Sequence, residues 1–239
     1  MSGNVRRFAN AVELADAAAA HFCSAASEAV AARGRFFVAL PGGRTPVLLY
    51  RALREPPWAA AVPWQACHVS FSDERCVPAQ DPASNYGLAQ RELLSHVAVP
   101  PSQICRAPVE AGSTWEVAAA WERALRAFFG AGAAFPEFDL AVLGIGADGH
   151  TASLFPGDGA LDAGLRWVKP VTPRGTPPLA RVTLTLPVLD HARAVLFLAA
   201  GADKRGVIEA IDGQAAAAFP AADVRPRGGA LWFYAEAGL

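Results

Sequence analysis

Phe36-Phe37-Val38-Ala39-Leu40-Pro41-Gly42-Gly43-Arg44-Thr45-Pro46-Val47-Leu48-Leu49 runs from one short apolar stretch, through a glycine hinge, into a second. The first stretch, closed by Pro and Gly, reads as a strand, and the second reads as a helix. Thr45 suits the helix N-cap, and Pro46 suits the first helical position, where a missing N–H costs nothing. The paired glycines let backbone approach a ligand closely, and a helix N-terminus presents free N–H groups to an anion. Gly42, Gly43, Arg44 and Thr45 therefore form a candidate phosphate cradle. An ordinary strand-to-helix turn would use the same residue types.

The same alternation recurs along the chain. Apolar runs at His68 to Phe71, Leu140 to Ile145 and Ala194 to Ala199 each end in polar or glycine-containing segments. Helical patterns cover Val12 to Ala32, Val47 to Leu53, Tyr86 to Leu94, Trp115 to Phe129 and Lys204 to Ile211. Alternating strands and helices predict βαβ units around a mainly parallel sheet, an α/β fold whose ligand site lies at the carboxyl ends of the strands. Pro and Gly density between Pro156 and Pro178 predicts a long surface loop with at most one short strand. Leu231 to Tyr234 reads as a last strand. With no repeat and no linker, residues 1–239 read as one domain.

Composition narrows the function classes. The chain has 239 residues, 53% of them hydrophobic, enough for a substantial core. A net charge of -1 gives no general cationic field for nucleic acid, so any basic site must be local. Four cysteines without a CxxC pair read as free thiols in a reducing compartment. Glu13, Asp16 and Glu28 interrupt the Ala-rich opening, which makes it an amphipathic helix and not a leader peptide. No apolar run reaches the length of a membrane span. A cytoplasmic protein, monomeric or weakly self-associating, is expected.

Three further segments carry chemistry. Ser72-Asp73-Glu74-Arg75 follows a predicted strand, and Ser84-Asn85-Tyr86 opens the next helix. Arg75 offers a planar fork for phosphate or carboxylate, with the neighbouring acids available to hold it; a solvated, self-paired turn is the alternative. Gly144-Ile145-Gly146-Ala147-Asp148-Gly149-His150-Thr151-Ala152-Ser153 contains GxGxxG, the dinucleotide pattern. Asp148 would put a carboxylate beside a pyrophosphate, and the chain then enters the Pro-rich segment instead of a second strand with an acidic ribose ligand. Glycines around Asp148 and His150 leave both side chains room to line a cleft, and histidine suits proton transfer near neutral pH. A hydrogen-bonded structural histidine would look the same in isolation. Finally, Lys204 in Gly201-Ala202-Asp203-Lys204-Arg205 is one of only two lysines in the chain, placed in a first turn where it opposes the helix dipole. A bound anion would resolve that conflict.

Other chemistries lack support: there is no HExxH, GxxxxGK[ST] or GxSxG, and no Cys/His cluster for zinc. His21, His68, His96 and His191 read as structural. Neither metal nor organic cofactor is expected.

Pro41 to Pro46, Ser72 to Pro78 with Ser84-Asn85-Tyr86, Gly144 to Pro156, and Arg181 to Pro187 with Gly201 to Lys204 together resemble the 6-phosphogluconolactonases. The most specific part is Gly-Ile-Gly-Ala-Asp-Gly-His-Thr-Ala-Ser-Leu-Phe-Pro at 144 to 156. That family is similar in fold to glucosamine-6-phosphate deaminases and ribose-5-phosphate isomerases, which implies a single-domain, three-layer α/β/α architecture with a Rossmann-like sheet. The deaminases continue their loop with Phe-Asn-Glu-Pro, where this chain has Thr151-Ala152-Ser153-Leu154-Phe155-Pro156. One departure lies at the C-terminus, where Trp-Phe-Leu-Asp of the family becomes Trp232-Phe233-Tyr234-Ala235 and puts a tail contact in doubt.

The resemblance implies hydrolysis of 6-phospho-D-glucono-1,5-lactone, with a phosphorylated sugar lactone as the only partner. His150 would be general base on a water, with Asp148 orienting it. Gly42, Gly43, Arg44, Thr45, Arg75 and Lys204 would surround the phosphate, with Arg75 also a candidate for the oxyanion. Asp73, Asn85, Gly146 and Gly149 would complete the pocket. The rival readings are an isomerase or deaminase of the same fold and a non-catalytic sugar-phosphate sensor. A sensor domain would be expected to carry a DNA-binding segment, and no basic helix-turn-helix pattern precedes the first strand.

Overall fold

Strands β1 (Asn4–Phe8), β2 (Phe36–Leu40), β3 (Cys67–Phe71), β4 (Asp73–Arg75), β5 (Leu140–Gly144), β6 (Val168–Arg174), β7 (Leu179–Leu184), β8 (Ala194–Ala200) and β9 (Ala230–Ala235) form two sheets in the computed structural model. The structure describes residues 4–130, 132, 134–157, 164–174, 178–213 and 219–236. Helices are α1 (Ala11–Arg33), α2 (Thr45–Leu53), α3 (Trp58–Ala61), α4 (Asn85–Ala89), α5 (Thr114–Phe129), α6 (Leu186–Asp190), α7 (Arg205–Asp212) and α8 (Pro220–Asp223). The expected three-layer α/β/α class is the one found.

The main sheet has six strands in the order β1-β9-β8-β5-β2-β3, and every pairing in it is parallel. All five residues of β2 are buried, as a strand covered on both faces by helices requires. From β2 the chain places β3 on one side, then returns to place β5 on the other. This reversal between β2 and β5 is a topological switch point, where open α/β sheets leave a crevice at the strand ends.

Local signals explain the helices. Asn10 caps α1 by accepting from the amides of Val12 and Glu13, and Gly34 closes it at φ 71. Ser113 and Glu116 form a reciprocal capping box at the start of α5. Two expectations need correction. Thr45 is the first residue of α2 and not its cap; Arg44 holds the cap position in a helical conformation, with no side-chain cap bond. The helix expected over Tyr86 to Leu94 is α4 followed by a π-helical turn over Gln90–Leu94.

The second sheet, β4-β7-β6, is antiparallel and was not foreseen. The triplet Asp73-Glu74-Arg75, which reads as a polar turn, is β4. It continues from β3 across Ser72, whose amide donates to Leu40 O at 2.9 Å while its carbonyl accepts from Leu184 N at 2.9 Å. The Pro156 to Pro178 segment carries the seven-residue β6; residues 158–163 and 175–177 of that segment lie outside the described residues. The small sheet thus stands at the carboxyl end of the large one. No helix among the described residues is long and apolar enough to cross a membrane.

Candidate active site

A cleft of about 380 Å³ opens where β2, β5 and β8 end, bounded on another side by β4 and β7. Gly42, Gly43, Arg44, Thr45, Asp73, Arg75, Asn85, Gly146, His150 and Lys204 all line it. Four separate segments of the chain therefore meet as their sequences suggested. Asp148 and Gly149 do not line it.

The Gly-rich loop after β5 is shaped around its own side chains. Gly146 N donates to His150 O at 2.8 Å, Gly149 N to Gly146 O at 3.0 Å, and Thr151 Oγ1 to Gly144 O at 2.8 Å. A Cβ on Gly146 would lie 2.1 Å from His150 Nδ1 and 2.5 Å from Asp148 Oδ1, so only glycine admits both side chains. Gly149, at φ 79, faces away from the cleft, since a Cβ there would strike the Phe219 ring at 2.3 Å. Its expected place in the pocket is thus replaced by packing on Phe219. Ala152 takes φ 48, an uncommon backbone for a residue with a Cβ, beside the cleft it lines.

His150 Nδ1 lies 2.5 Å from Asp148 Oδ1. Burial tends to raise Asp148, but the hydrogen bond and charge of His150 outweigh it and hold the carboxyl below its usual value. An ionised carboxylate only accepts, which assigns the proton to Nδ1 and leaves Nε2 its lone pair. The His150 ring packs on Phe155 with centroids 4.6 Å apart.

A buried polar lattice fixes the opposite wall. Asp73 accepts from Ser153 Oγ at 2.6 Å, Asn85 Nδ2 at 3.1 Å and Ser72 Oγ at 3.2 Å. The Ser153 bond ties the Gly-rich loop to β4. Glu74 accepts from the amides of Arg75, Asn85 and Tyr86 and from Ser84 Oγ. Burial pushes the Glu74 carboxyl up, against the pull of those amides. The two acids are thus occupied elsewhere and do not hold the Arg75 guanidinium, contrary to expectation; Arg75 Nη1 donates instead to Ala83 O at 2.7 Å.

At the cradle, Tyr50 Oη donates to Pro41 O at 2.5 Å from a fully buried position, fixing the turn before Gly42. A Cβ on Gly42 would meet Asn85 Oδ1 at 1.8 Å, so glycine is needed there for close approach. Lys204 ends a 3₁₀ turn and precedes α7. Its ammonium lies 3.0 Å from Asp203 Oδ2. That carboxylate offsets the conflict with the helix dipole, so a ligand is not required for it.

One lining residue was not assigned a role from sequence: Arg181 on β7. It stands in register with Arg75 across the β4–β7 pair. Its signal was present in the Arg181 to Pro187 segment, but a strand that read as part of no sheet gave the side chain no direction. Among the described residues, no group of three or more His, Cys, Asp or Glu is placed to hold a metal ion. All four cysteines are free thiols, and burial pushes Cys67 and Cys105 up to about 12.

A family model described as glucosamine-6-phosphate isomerases/6-phosphogluconolactonase matches residues 9–233. The chain belongs to this family. Within it, the chain is 42% identical over 214 residues to the 6-phosphogluconolactonase of Rattus norvegicus, covering 86% of this chain and 80% of that protein. It is 39% identical over 209 residues to the 6-phosphogluconolactonase of Synechocystis sp., covering 86% and 84%. The solved 6-phosphogluconolactonase from Trypanosoma brucei superposes with a TM-score of 0.86 at 28% identity, over 98% of this chain and 96% of that one. The C-terminal departure from the family pattern lies in β9, where Tyr234 and Ala235 are buried and neither lines the cleft.

Proposed function

We propose that the protein hydrolyses 6-phospho-D-glucono-1,5-lactone to 6-phospho-D-gluconate. The observation that carries this reading is a histidine with Nδ1 held by a carboxylate at the edge of a cleft whose other segments supply a glycine cradle and a lysine. Relatives named for this activity at 39–42% identity support the substrate.

In this reading Gly42, Gly43, Arg44, Thr45 and Lys204 hold the phosphate. A helix start without a side-chain cap leaves its amide end available to an anion. His150 Nε2 takes a proton from water as the water oxygen bonds to C1, giving a tetrahedral oxyanion. The bond from C1 to the ring oxygen then breaks, and the leaving alkoxide takes the proton back from the imidazolium. Asp148 orients the ring and stabilises its charged form. Asp73 and Asn85 position the sugar from the β4 side. No covalent intermediate is needed. Free, buried thiols fit a reducing, cytoplasmic setting.

Purified protein mixed with freshly generated lactone should open the ring well above the spontaneous rate. Turnover of glucosamine 6-phosphate with release of ammonia, and none of the lactone, would replace this reading with the deaminase branch of the family.

A further inference from the structure

Resting on the lactonase reading, we propose that Arg181, together with Arg75, binds the C1 end of the substrate, donating to the oxyanion during hydrolysis and to the carboxylate of the product afterwards.

Two guanidinium groups face one another across an antiparallel pair. Arg75 and Arg181 are direct register partners in β4 and β7, and both line the cleft. Like charges directly opposite on neighbouring strands repel. Proximity of Arg75 and burial both act to lower Arg181, with Asp73 acting the other way. Asp73 does not neutralise the pair, because its oxygens are taken by Ser153, Asn85 and Ser72 and no ion pair joins it to either arginine among the described residues. In both arginines Nε is buried without a hydrogen-bond partner. A buried N–H left unmade is costly, and two of them on adjacent, mutually repelling forks point to an anion that fills them.

Phe155 decides which anion. Its ring packs against His150 at 4.6 Å on one contact, and the Arg181 Cζ lies over it at 5.6 Å on another. Arg181 therefore stands on the side of the base. Lys204 and Arg44 belong to a different group: Lys204 contacts Asp203, and the charge of Arg44 acts on that same carboxylate. The cleft has two cationic ends, and the substrate has two acceptor ends, phosphate at C6 and C1. Because water must be activated at C1, the end shared with His150 takes C1. A planar fork suits the oxyanion and then the product carboxylate, which it can bind with two parallel bonds.

The test compares binding of two ligands that share chain and phosphate: 6-phospho-D-gluconate, which has the carboxylate, and D-glucitol 6-phosphate, which does not. By calorimetry, Arg181→Ala should weaken 6-phosphogluconate about 10- to 100-fold and leave glucitol 6-phosphate within about twofold. With the lactone, the variant should lose kcat by roughly 10² or more, as for a missing oxyanion donor, with a smaller change in KM. Equal weakening of both ligands, or of neither, overturns the proposal while leaving the lactonase reading intact. A wild type that binds neither ligand and opens no lactone overturns that reading first. If Arg181→Ala does not melt like wild type, Arg181→Lys serves in its place: charge without the fork should give an intermediate loss confined to 6-phosphogluconate, and loss on both ligands contradicts the assignment.

Discussion

His150 and Gly146 constrain each other, since the space a Cβ would take on Gly146 is filled by the imidazole and by Asp148. The sequence pattern of glycines around an Asp-Gly-His therefore carries a steric meaning that is absent from a dinucleotide loop. With Asp148 held below its ordinary value, the carboxylate stays ionised through mildly acidic pH. Its contribution to folding is then present above the ordinary carboxylate range and is lost only as pH falls through the lowered value. Over the working range a single proton, that of His150, should govern the acid limb of kcat/KM. The limb should have unit slope; a slope of two would show that Asp148 titrates with it. Asp148→Asn keeps the shape but removes the charge, so kcat should fall by less than the roughly 10² to 10⁴ expected for loss of a base. A loss equal to that of His150→Ala would give Asp148 a direct part in proton transfer.

At the scale of elements, β4 shows why part of the site was hidden. Asp73, Glu74 and Arg75 alternate in direction within a three-residue strand and are charged at every position, so neither hydrophobic period nor propensity marks them. β6 was concealed by Pro170 and Pro173, which demote a strand unless it lies at an edge, as β6 does. β1 is five residues with two arginines and was missed for the same lack of pattern. By contrast β2, β5 and β8 were legible, because strands buried on both faces read as unbroken apolar runs. The cradle and the Gly-rich loop could be placed once those strands were found, whereas Arg181 depended on β7 and stayed without a role. What holds β4 to α4 is Glu74, whose two oxygens accept four donors between them. Glu74→Gln turns one acceptor into a donor facing donors and should destabilise the fold by about 1–3 kcal/mol. Chemical denaturation measures it; an unchanged midpoint would mean that the lattice is not holding the strand.

Across the whole molecule, the reversal of strand order between β2 and β5 sets the cradle and the histidine loop on either side of one crevice. The small antiparallel sheet closes a third side. Such an arrangement separates phosphate recognition from the chemistry at the other end of the sugar, and the two should fail separately. Lys204→Ala should raise KM for the phosphorylated lactone by roughly 10-fold or more, the scale of one charge-assisted contact, and affect unphosphorylated gluconolactone much less. Equal losses on both substrates would remove Lys204 from the phosphate end.

General base catalysis by His150 is tested most directly by the rate of lactone hydrolysis by His150→Ala against wild type, with matched circular dichroism and thermal melting. Loss of the base should lower kcat by about 10² to 10⁴ with little change in KM, since phosphate binding rests on other residues. A folded His150→Ala protein that keeps a near wild-type kcat would contradict it.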